Sequence, residues 1–194
     1  MIVLASQSAS RRAMLAAAGV AFEAQAAGVD EDAVKAAMIP LSARDLADAL
    51  AEMKALKVSV RRPELVLGSD SVVALADGTL LDKPRDRGEA RRHLAMMSGA
   101  VHDLWSGAVI AEGGRAVWRH VERARMHVRP LSAAFIETYL DAEWPAIAHC
   151  VGCYRIEGPG AQLFERIEGS QFAVLGLPLL PVLAYLRTRG ELPA

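Results

Sequence analysis

Asp70 is the residue whose surroundings most suggest chemistry. It lies in the segment Gly-Ser-Asp-Ser at 68–71, between the apolar runs 65–67 and 72–75, which predicts a position within strand structure. A carboxylate in such a place is costly to bury unless a metal ion or a cation pairs with it. The alternative is an aspartate that hydrogen-bonds within a turn, and the local sequence leaves both open.

Four further charged residues could act together with such a carboxylate. Asp30-Glu31 adds acidic groups, and Lys54 and Lys83 add ammonium groups. Lys83 follows an apolar pair and precedes Pro84, so it either points into a cleft or ends a strand. Taken alone, the second interpretation is the simpler one.

The N-terminal segment 4–12 brings several hydroxyls and two arginines to the start of a predicted helix. Free backbone N–H groups, the positive end of the helix dipole and guanidinium groups all favour a bound phosphate. The alternative is an ordinary serine-capped helix with solvated arginines. The residues support both equally, because arginine in a first helical turn is unfavourable without an anion.

Two cysteines, Cys150 and Cys153, have the spacing of a redox pair or of half a zinc site. A zinc site needs two further ligands, and the neighbouring His149 alone does not supply them. We therefore expect two small residues near a buried strand.

Charge and hydropathy restrict the class of partner. The 194 residues are 53% hydrophobic, with 22 basic and 23 acidic residues and a formal net charge of -1. No large field exists to hold a nucleic-acid polymer or an anionic membrane, so any anion binding must be local. The N-terminus lacks the features of a signal peptide, and no stretch reaches the length of a membrane helix, which predicts a cytoplasmic protein.

The pattern of elements predicts an α/β fold with a mixed sheet. Strands are expected at 2–5, 65–75, 80–81, 101–111 and 116–128. Helices are expected at 11–18, from Ser42 past Lys57, from Asp86 to 98–99, from Ser132 through Leu140, and at 178–187. The length suits one domain, 1–194, or two closely packed lobes.

The order of short motifs resembles the Maf family from about residue 2 to 189. Each motif alone is weak, and the resemblance rests on their succession. The segments that match, in order, are 4–12, 29–31, 51–55, 68–73, 82–86, 95–102, 106–107, 150–154, 157–158, 167–170 and 174–178.

This resemblance implies a Maf/ITPase-like fold, a twisted mixed sheet with flanking helices that form two lobes around a nucleotide cleft. It also implies a nucleoside triphosphate pyrophosphatase, a hydrolase that releases a nucleoside monophosphate and pyrophosphate with a divalent cation, Mg²⁺ or Mn²⁺. By the same resemblance, Asp70 is the general base, and Glu31 helps it to hold the metal. The residues implied to contact phosphate are Lys54 and Lys83, Ser6, Ser8, Arg11 and Arg12.

One departure from the family pattern bears on the substrate. The family commonly has Ser-Pro-Arg-Arg, whereas this chain has Ser-Ala-Ser-Arg-Arg at 8–12. The offset is similar to the branch associated with 7-methyl-GTP, and it aligns Ser10, Ser71 and Glu157 with positions linked to substrate choice. A carboxylate at Glu157 can accept hydrogen bonds from N1–H and the amino group of guanine, where the dTTP and UTP branch tends to carry glutamine.

Other functions remain open at this stage. They are a dTTP/UTP pyrophosphatase of the same family, a house-cleaning enzyme for inosine or xanthosine triphosphate, and a nucleotide-binding regulator of septum formation and cell division. A regulator would bind nucleotide with little turnover and would not need a general base. The nucleoside triphosphate is the expected partner, no nucleic-acid polymer or membrane is expected, and a homodimer is left open.

Several conspicuous residues are expected to be structural. Trp105, Trp118 and Trp144 lie in or beside apolar segments, and His102 is expected to hydrogen-bond within the fold. The basic cluster of Arg85, Arg87, Arg91 and Arg92 lies with acidic residues on one helix and predicts a solvated face.

Overall fold

The computed structural model describes residues 1–37 and 41–193. In these residues, seven strands form one mixed sheet in the order β2-β1-β3-β5-β6-β7, with β4 paired to β3. The strands are β1 Ile2–Leu4, β2 Phe22–Ala24, β3 Val66–Leu75, β4 Leu80–Leu81, β5 Val101–Glu112, β6 Arg115–Val128 and β7 Phe164–Glu168. The helices are α1 Ala9–Ala17, α2 Glu31–Ala37, α3 Ala43–Ser59, α4 Arg87–Met97, α5 Ala133–Glu143, α6 Gln171–Val174 and α7 Leu179–Thr188.

The sheet is mixed, as predicted. Strand β1 pairs in parallel with both β2 and β3, whereas β4 pairs antiparallel with β3 and β7 pairs antiparallel with β6. A hairpin turn at Asp77-Gly78 joins the two strands expected at 65–75 and 80–81: Leu75 N–H donates to Thr79 O over 2.8 Å, and Gly78 has a φ of +87°. The α/β class predicted from the sequence is confirmed.

Serine and aspartate caps start three of the helices where the sequence predicted them. Ser42 accepts from the backbone N–H of Asp45 and begins α3, and Asp86 accepts from that of Glu89 and begins α4. Ser132 caps α5, which continues three residues beyond the predicted Leu140. Each cap satisfies a backbone donor that has no partner within its helix.

Other elements differ from the prediction. The first helix begins at Ala9 instead of residue 11, because Ser8 is its N-cap. Strand β2 and the short helices α2 and α6 were not predicted, since each is too short to show a clear apolar period in the sequence. Between α5 and β7, where the sequence predicted no helix, three 3₁₀ turns lie at Ala146–His149, Val151–Cys153 and Pro159–Leu163.

The chain divides into two compact units. Unit 1 comprises Met1–Ser71, Trp105–Glu122 and Ser170–Ala194, and unit 2 comprises Val72–Leu104 and Arg123–Gly169. No helix among the described residues is both long and apolar enough to cross a bilayer.

The core of unit 1 is aliphatic and packs around β1 and α7. Its fully buried side chains include Leu4, Leu15, Leu67, Ile110 and Leu186. Trp118 packs against this core and stacks on Tyr185 with ring centroids 5.4 Å apart, which agrees with its predicted structural role. Burial of these apolar side chains fixes the strands and helices that carry the polar residues described next.

Candidate active site

Two glycines allow α3 to lie directly against the sheet in unit 1. A Cβ atom at Gly68 would lie 2.2 Å from the carbonyl oxygen of Ala51, and one at Gly107 would lie 2.6 Å from that of Ala47. No side chain fits at either position, so the backbone of α3 approaches β3 and β5 closely. This contact sets the distance between the side chains that α3 and β3 present to each other.

Lys54 and Asp70 meet at this contact together with Glu31. Lys54 Nζ donates to Asp70 Oδ1 over 2.8 Å and lies 2.6 Å from Glu31 Oε1. The side chains of Lys54 and Asp70 are 9% and 8% exposed, and that of Glu31 is 24% exposed. We call Glu31, Lys54 and Asp70 the acid–lysine cluster.

The position of Asp70 decides between the two sequence interpretations. Strand β3 runs without a break from Val66 to Leu75, so the alternative of a turn aspartate is wrong. The buried carboxylate has the cationic partner that its position demands. The acid–lysine cluster carries two negative charges and one positive charge, so it attracts a further cation.

The other face of β3 carries serines, because successive side chains of a strand alternate in direction. Ser69 Oγ donates to the carbonyl oxygen of Gly176 over 3.0 Å. Ser71 Oγ lies 3.0 Å from Ser106 Oγ, and Ser106 donates to the carbonyl oxygen of Ala173. These hydroxyls bind the turn after α6 to β3 and β5.

Arg11 joins this network from α1. Its Nε donates to Gly176 O over 2.7 Å, Nη2 to Ser71 Oγ over 3.1 Å and Nη1 to Ser6 Oγ over 3.3 Å. Burial lowers the pKa of Arg11, and the carboxylates of Asp70 and Glu31 oppose that shift. A buried guanidinium within electrostatic range of both carboxylates therefore supplies the second positive charge of this region.

The remaining N-terminal residues have mixed positions. Ser6 is buried and accepts from Ser8 N–H, and Ser8 caps α1 by accepting from Arg11 N–H. Ser10 Oγ donates to Leu175 O over 2.9 Å, whereas Arg12 is exposed. The structure thus brings Ser6, Ser8 and Arg11 together at the first turn of α1 and leaves the Arg12 guanidinium at the surface.

Comparisons with known proteins bear directly on this arrangement. The family model described as "Maf: Maf-like protein" matches residues 1–189. The chain belongs to the Maf family. A protein of Jannaschia sp. named "Nucleoside triphosphate pyrophosphatase 1" is 52% identical, over 97% of this chain and 96% of its own length. A protein of Caulobacter vibrioides named "Nucleoside triphosphate pyrophosphatase" is 49% identical, over 98% and 96%.

These relatives confirm the predicted family and, at the level of their printed name, the predicted class of enzyme, a hydrolase of acid anhydrides. A solved structure of a nucleoside-triphosphatase (dITP/XTP pyrophosphatase) from Mycobacterium abscessus is 15% identical, with a TM-score of 0.45 over 99% of this chain and 97% of that one. A structural similarity this low supports no inference about the function of this chain.

In this Maf-family chain, the other two predicted substrate residues lie in unit 2. Lys83 follows β4 and is exposed, and Glu157 is exposed in the tight turn 155–158. Arg155 holds that turn, because its carbonyl oxygen accepts from Gly158 N–H and its guanidinium donates to the buried carboxylate of Glu143 over 2.8 and 3.0 Å. Glu157 is therefore carried by a turn anchored to α5.

The acidic residues offer a small set of metal donors. Among the described residues, no group of three or more histidine, cysteine, aspartate or glutamate side chains is arranged to hold a metal ion. Mg²⁺ is usually held by one or two carboxylates together with substrate phosphates. The two carboxylates that meet at Lys54 fit that mode of binding and do not resemble an all-protein cage.

His102 and the basic surface cluster have the structural roles expected of them, whereas the two cysteines lie at a 3₁₀ turn instead of beside a buried strand. His102 is buried, its Nε2 lies 3.0 Å from Tyr154 Oη, and burial lowers its pKa to about 4. Cys150 and Cys153 are free thiols, the first half-buried and the second buried. Arg85 pairs with Glu89, and Arg87 and Arg91 pair with Glu137 on the surface.

Sequence reasoning missed four polar residues that support the site. Ser69 and Ser106 bind the α6 turn, and the Glu143–Arg155 pair anchors the turn of Glu157. Because side chains alternate between the two faces of a strand, the sequence could have placed Ser69 on the face of β3 opposite Asp70. Nothing in the local sequence distinguishes Glu143 from a solvated glutamate at the end of a helix.

Proposed function

We propose that this chain is a nucleoside triphosphate pyrophosphatase, which hydrolyses an NTP between its α- and β-phosphates and releases a nucleoside monophosphate and pyrophosphate. The observation that carries the proposal is the buried acid–lysine cluster with Arg11 beside it. Family membership and the printed names of relatives at about half identity support the same reaction.

In the proposed mechanism, Asp70 is the general base. Its carboxylate takes a proton from the attacking water as the oxygen forms a bond to phosphorus, and the bond to the bridging oxygen breaks. Lys54 Nζ donates to Asp70 Oδ1 over 2.8 Å and so holds the carboxylate in one orientation. Arg11 and Lys83 are proposed to offset the charge on the phosphate oxygens.

The proposed divalent cation, Mg²⁺ or Mn²⁺, would be held by Glu31 and Asp70. When bound, it would neutralise charge on the triphosphate. Both carboxylates already point at one ammonium group, so their oxygens are close enough in space to share a cation. Glu31→Gln should raise the metal concentration needed for half-maximal turnover, whereas Glu89→Gln, on the exposed arginine pair, should leave it unchanged.

We further propose that the substrate is 7-methyl-GTP or another modified purine nucleotide, with Glu157 reading the base. Glu157 is exposed, so its oxygens are accessible to a guanine edge. Ser10 and Ser71 already hydrogen-bond within the protein, to Leu175 O and to Ser106 and Arg11. Base choice therefore depends mainly on Glu157 in this proposal.

Product identification with a panel of canonical and modified NTPs tests the reaction. Pyrophosphate and a nucleoside monophosphate are expected, in a reaction that requires Mg²⁺ or Mn²⁺ and stops on chelation. Orthophosphate as the product, or binding of every nucleotide without turnover, would reject the proposal, and the second result would favour a regulator of septum formation.

The Glu157→Gln variant tests the choice of base. It should lower kcat/KM for 7-methyl-GTP relative to UTP, by about tenfold or more if two hydrogen bonds are weakened. Glu165→Gln, an exposed carboxylate on β7, is the matched control. Equal ratios in the wild type and Glu157→Gln would remove Glu157 from base recognition while leaving the pyrophosphatase proposal intact.

A further inference from the structure

The two cysteines of unit 2 are not used by the proposed reaction, and their geometry differs from that of ordinary core residues. Cys153 N–H donates to Cys150 O over 3.2 Å, which closes a turn of four residues. In such a turn the first and fourth Cα atoms lie less than about 7 Å apart. That separation falls in the range over which a disulfide can form.

The turn also has an uncommon backbone. Cys153 has a φ of +59°, the one positive φ of a non-glycine residue in the described chain, and Gly152 before it has a φ of +77°. A Cβ at Gly152 would lie 2.5 Å from the Tyr154 ring, and Tyr139 Oη donates to Cys153 O over 3.1 Å. The surrounding residues therefore hold Cys153 in a conformation that costs free energy, and such conformations concentrate at functional positions.

A histidine lies beside the buried thiol. Cys153 Sγ is 3.5 Å from His93 Nδ1, which projects from α4. Burial lowers the pKa of His93 and so keeps its ring neutral, and the unprotonated nitrogen of a neutral imidazole can accept a proton. This base matters because burial raises the pKa of both thiols, that of Cys153 to about 12.

We propose that Cys150 and Cys153 form a reversible intrachain disulfide by exchange with a small-molecule disulfide. The half-buried Cys150 sulfur attacks first, forms a mixed disulfide and releases one small thiol. Cys153 then gives its proton to His93 and attacks the Cys150 sulfur, and the second small thiol leaves and takes a proton. Both protein thiols are oxidised, and the small disulfide is reduced by the same two electrons.

The site lies among residues that are proposed to bind substrate. The charges of Glu157 and Lys83 both act on the Cys150 thiol, together with those of Arg155 and Glu143. The disulfide would therefore join two ends of a turn beside the substrate residues of unit 2. The oxidation itself does not depend on the enzymatic proposal, and its test does not use turnover.

The experiment incubates the native full-length protein with oxidised glutathione and follows intact mass and free thiols. The wild type should lose both thiols and the mass of two hydrogen atoms, and dithiothreitol should restore them. Cys153→Ser should stop as a mixed disulfide on Cys150. Retention of both free thiols, or a glutathione adduct that never closes in the wild type, would overturn the proposal.

A pair of histidine variants tests the base. His93→Asn should slow closure of the mixed disulfide by at least about tenfold, a conservative fraction of what a positioned base contributes. His149→Asn, which removes an exposed histidine next to Cys150, is the control and should close at the wild-type rate. Equal rates in the two variants would overturn the role assigned to His93.

Discussion

The acid–lysine cluster of unit 1 and the surroundings of His102 in unit 2 are both buried and polar, yet they are built differently. In the first, a lysine lies between two carboxylates with a buried arginine near them. In the second, a neutral histidine hydrogen-bonds to Tyr154, and the Tyr154 and Phe164 rings contact it. The acid–lysine cluster keeps its charges buried although their desolvation costs free energy. Such an arrangement is expected where charged groups must act on a ligand.

The acid–lysine cluster and the surroundings of His102 differ in whether a ligand can reach and affect their polar groups. The Glu31 side chain of the acid–lysine cluster is 24% exposed, so a phosphate or a cation can reach the cluster and change which charged groups pair with each other. His102 is buried with Nδ1 lacking a hydrogen-bond partner among the described residues, and charging it would have no compensating partner. Unit 1 is thus suited to charge chemistry, and this part of unit 2 is suited to holding its own fold.

The largest effect should come from Asp70→Asn. Asparagine keeps an oxygen for Lys54 but cannot take a proton from water, so turnover should fall by about 10²- to 10⁴-fold while the fold is retained. Pyrophosphate release and thermal unfolding, measured on the same sample, check both parts. Asp77→Asn, in the exposed hairpin turn, is the control; a similar loss there, or an active Asp70→Asn, would contradict the assignment.

Removal of the shared ammonium should reduce stability as well as activity. Lys54→Met leaves Glu31 and Asp70 facing each other without the ammonium group between them, which should lower the free energy of unfolding by about 3–5 kcal/mol at neutral pH.

Chemical denaturation at pH 7 measures the loss of unfolding free energy in Lys54→Met. Lys57→Met, one turn further along α3 and exposed, should cost far less. Equal deficits in the two variants would show that the cluster does not stabilise the fold in the way that its contacts suggest.

His102 should make the free energy of unfolding depend on pH. Its folded pKa of about 4 lies below the unfolded value of about 6.5, so the unfolded state binds the proton first as the pH falls. His102 therefore does not reduce the free energy of unfolding above pH 6.5. Between pH 6.5 and 4 its titration lowers that free energy by on the order of 3 kcal/mol.

His102→Gln keeps a nitrogen near Tyr154 Oη but does not titrate, so the slope of unfolding free energy against pH should be shallower in this window. His127→Gln, on the surface strand β6, is the comparison. A slope unchanged by His102→Gln would mean that another group carries the titration.

The smallest effect is expected on the helical surface. Arg85 is 83% exposed and pairs with Glu89 one turn away, so solvent screens the pair. Arg85→Ala should leave the melting temperature and the turnover essentially unchanged. A clear loss of turnover would mean that this arginine contacts substrate and that the surface interpretation is wrong.

Much of the fold could be predicted because local signals agreed with the tertiary structure. Ser42 and Asp86 have the side chains that cap helices, and Asp77-Gly78 has the residues that a tight hairpin requires. Helix α2 escaped prediction because its seven residues have no apolar period, and it carries Glu31. The 3₁₀ turns around Cys150 escaped because tertiary hydrogen bonds, such as that from Tyr139, hold their backbone.

The sequence named the residues of the candidate site, and the structure supplied their contacts. Asp70, Lys54, Glu31 and Arg11 lie together in unit 1. The roles assigned to these residues, the proposed metal and the predicted cleft between the lobes stay predictions, as do the cytoplasmic location and the single domain.

The sequence alone determined which residues start and end most elements, which side chains could carry charge, and the family to which the chain belongs. The tertiary structure decided which charges share a partner. Lys54 and Asp70 are 16 positions apart, and they meet because Gly68 admits the backbone of α3 to β3. The physical reason is that capping is a local contact, whereas the desolvation and pairing of a buried charge depend on every element packed around it.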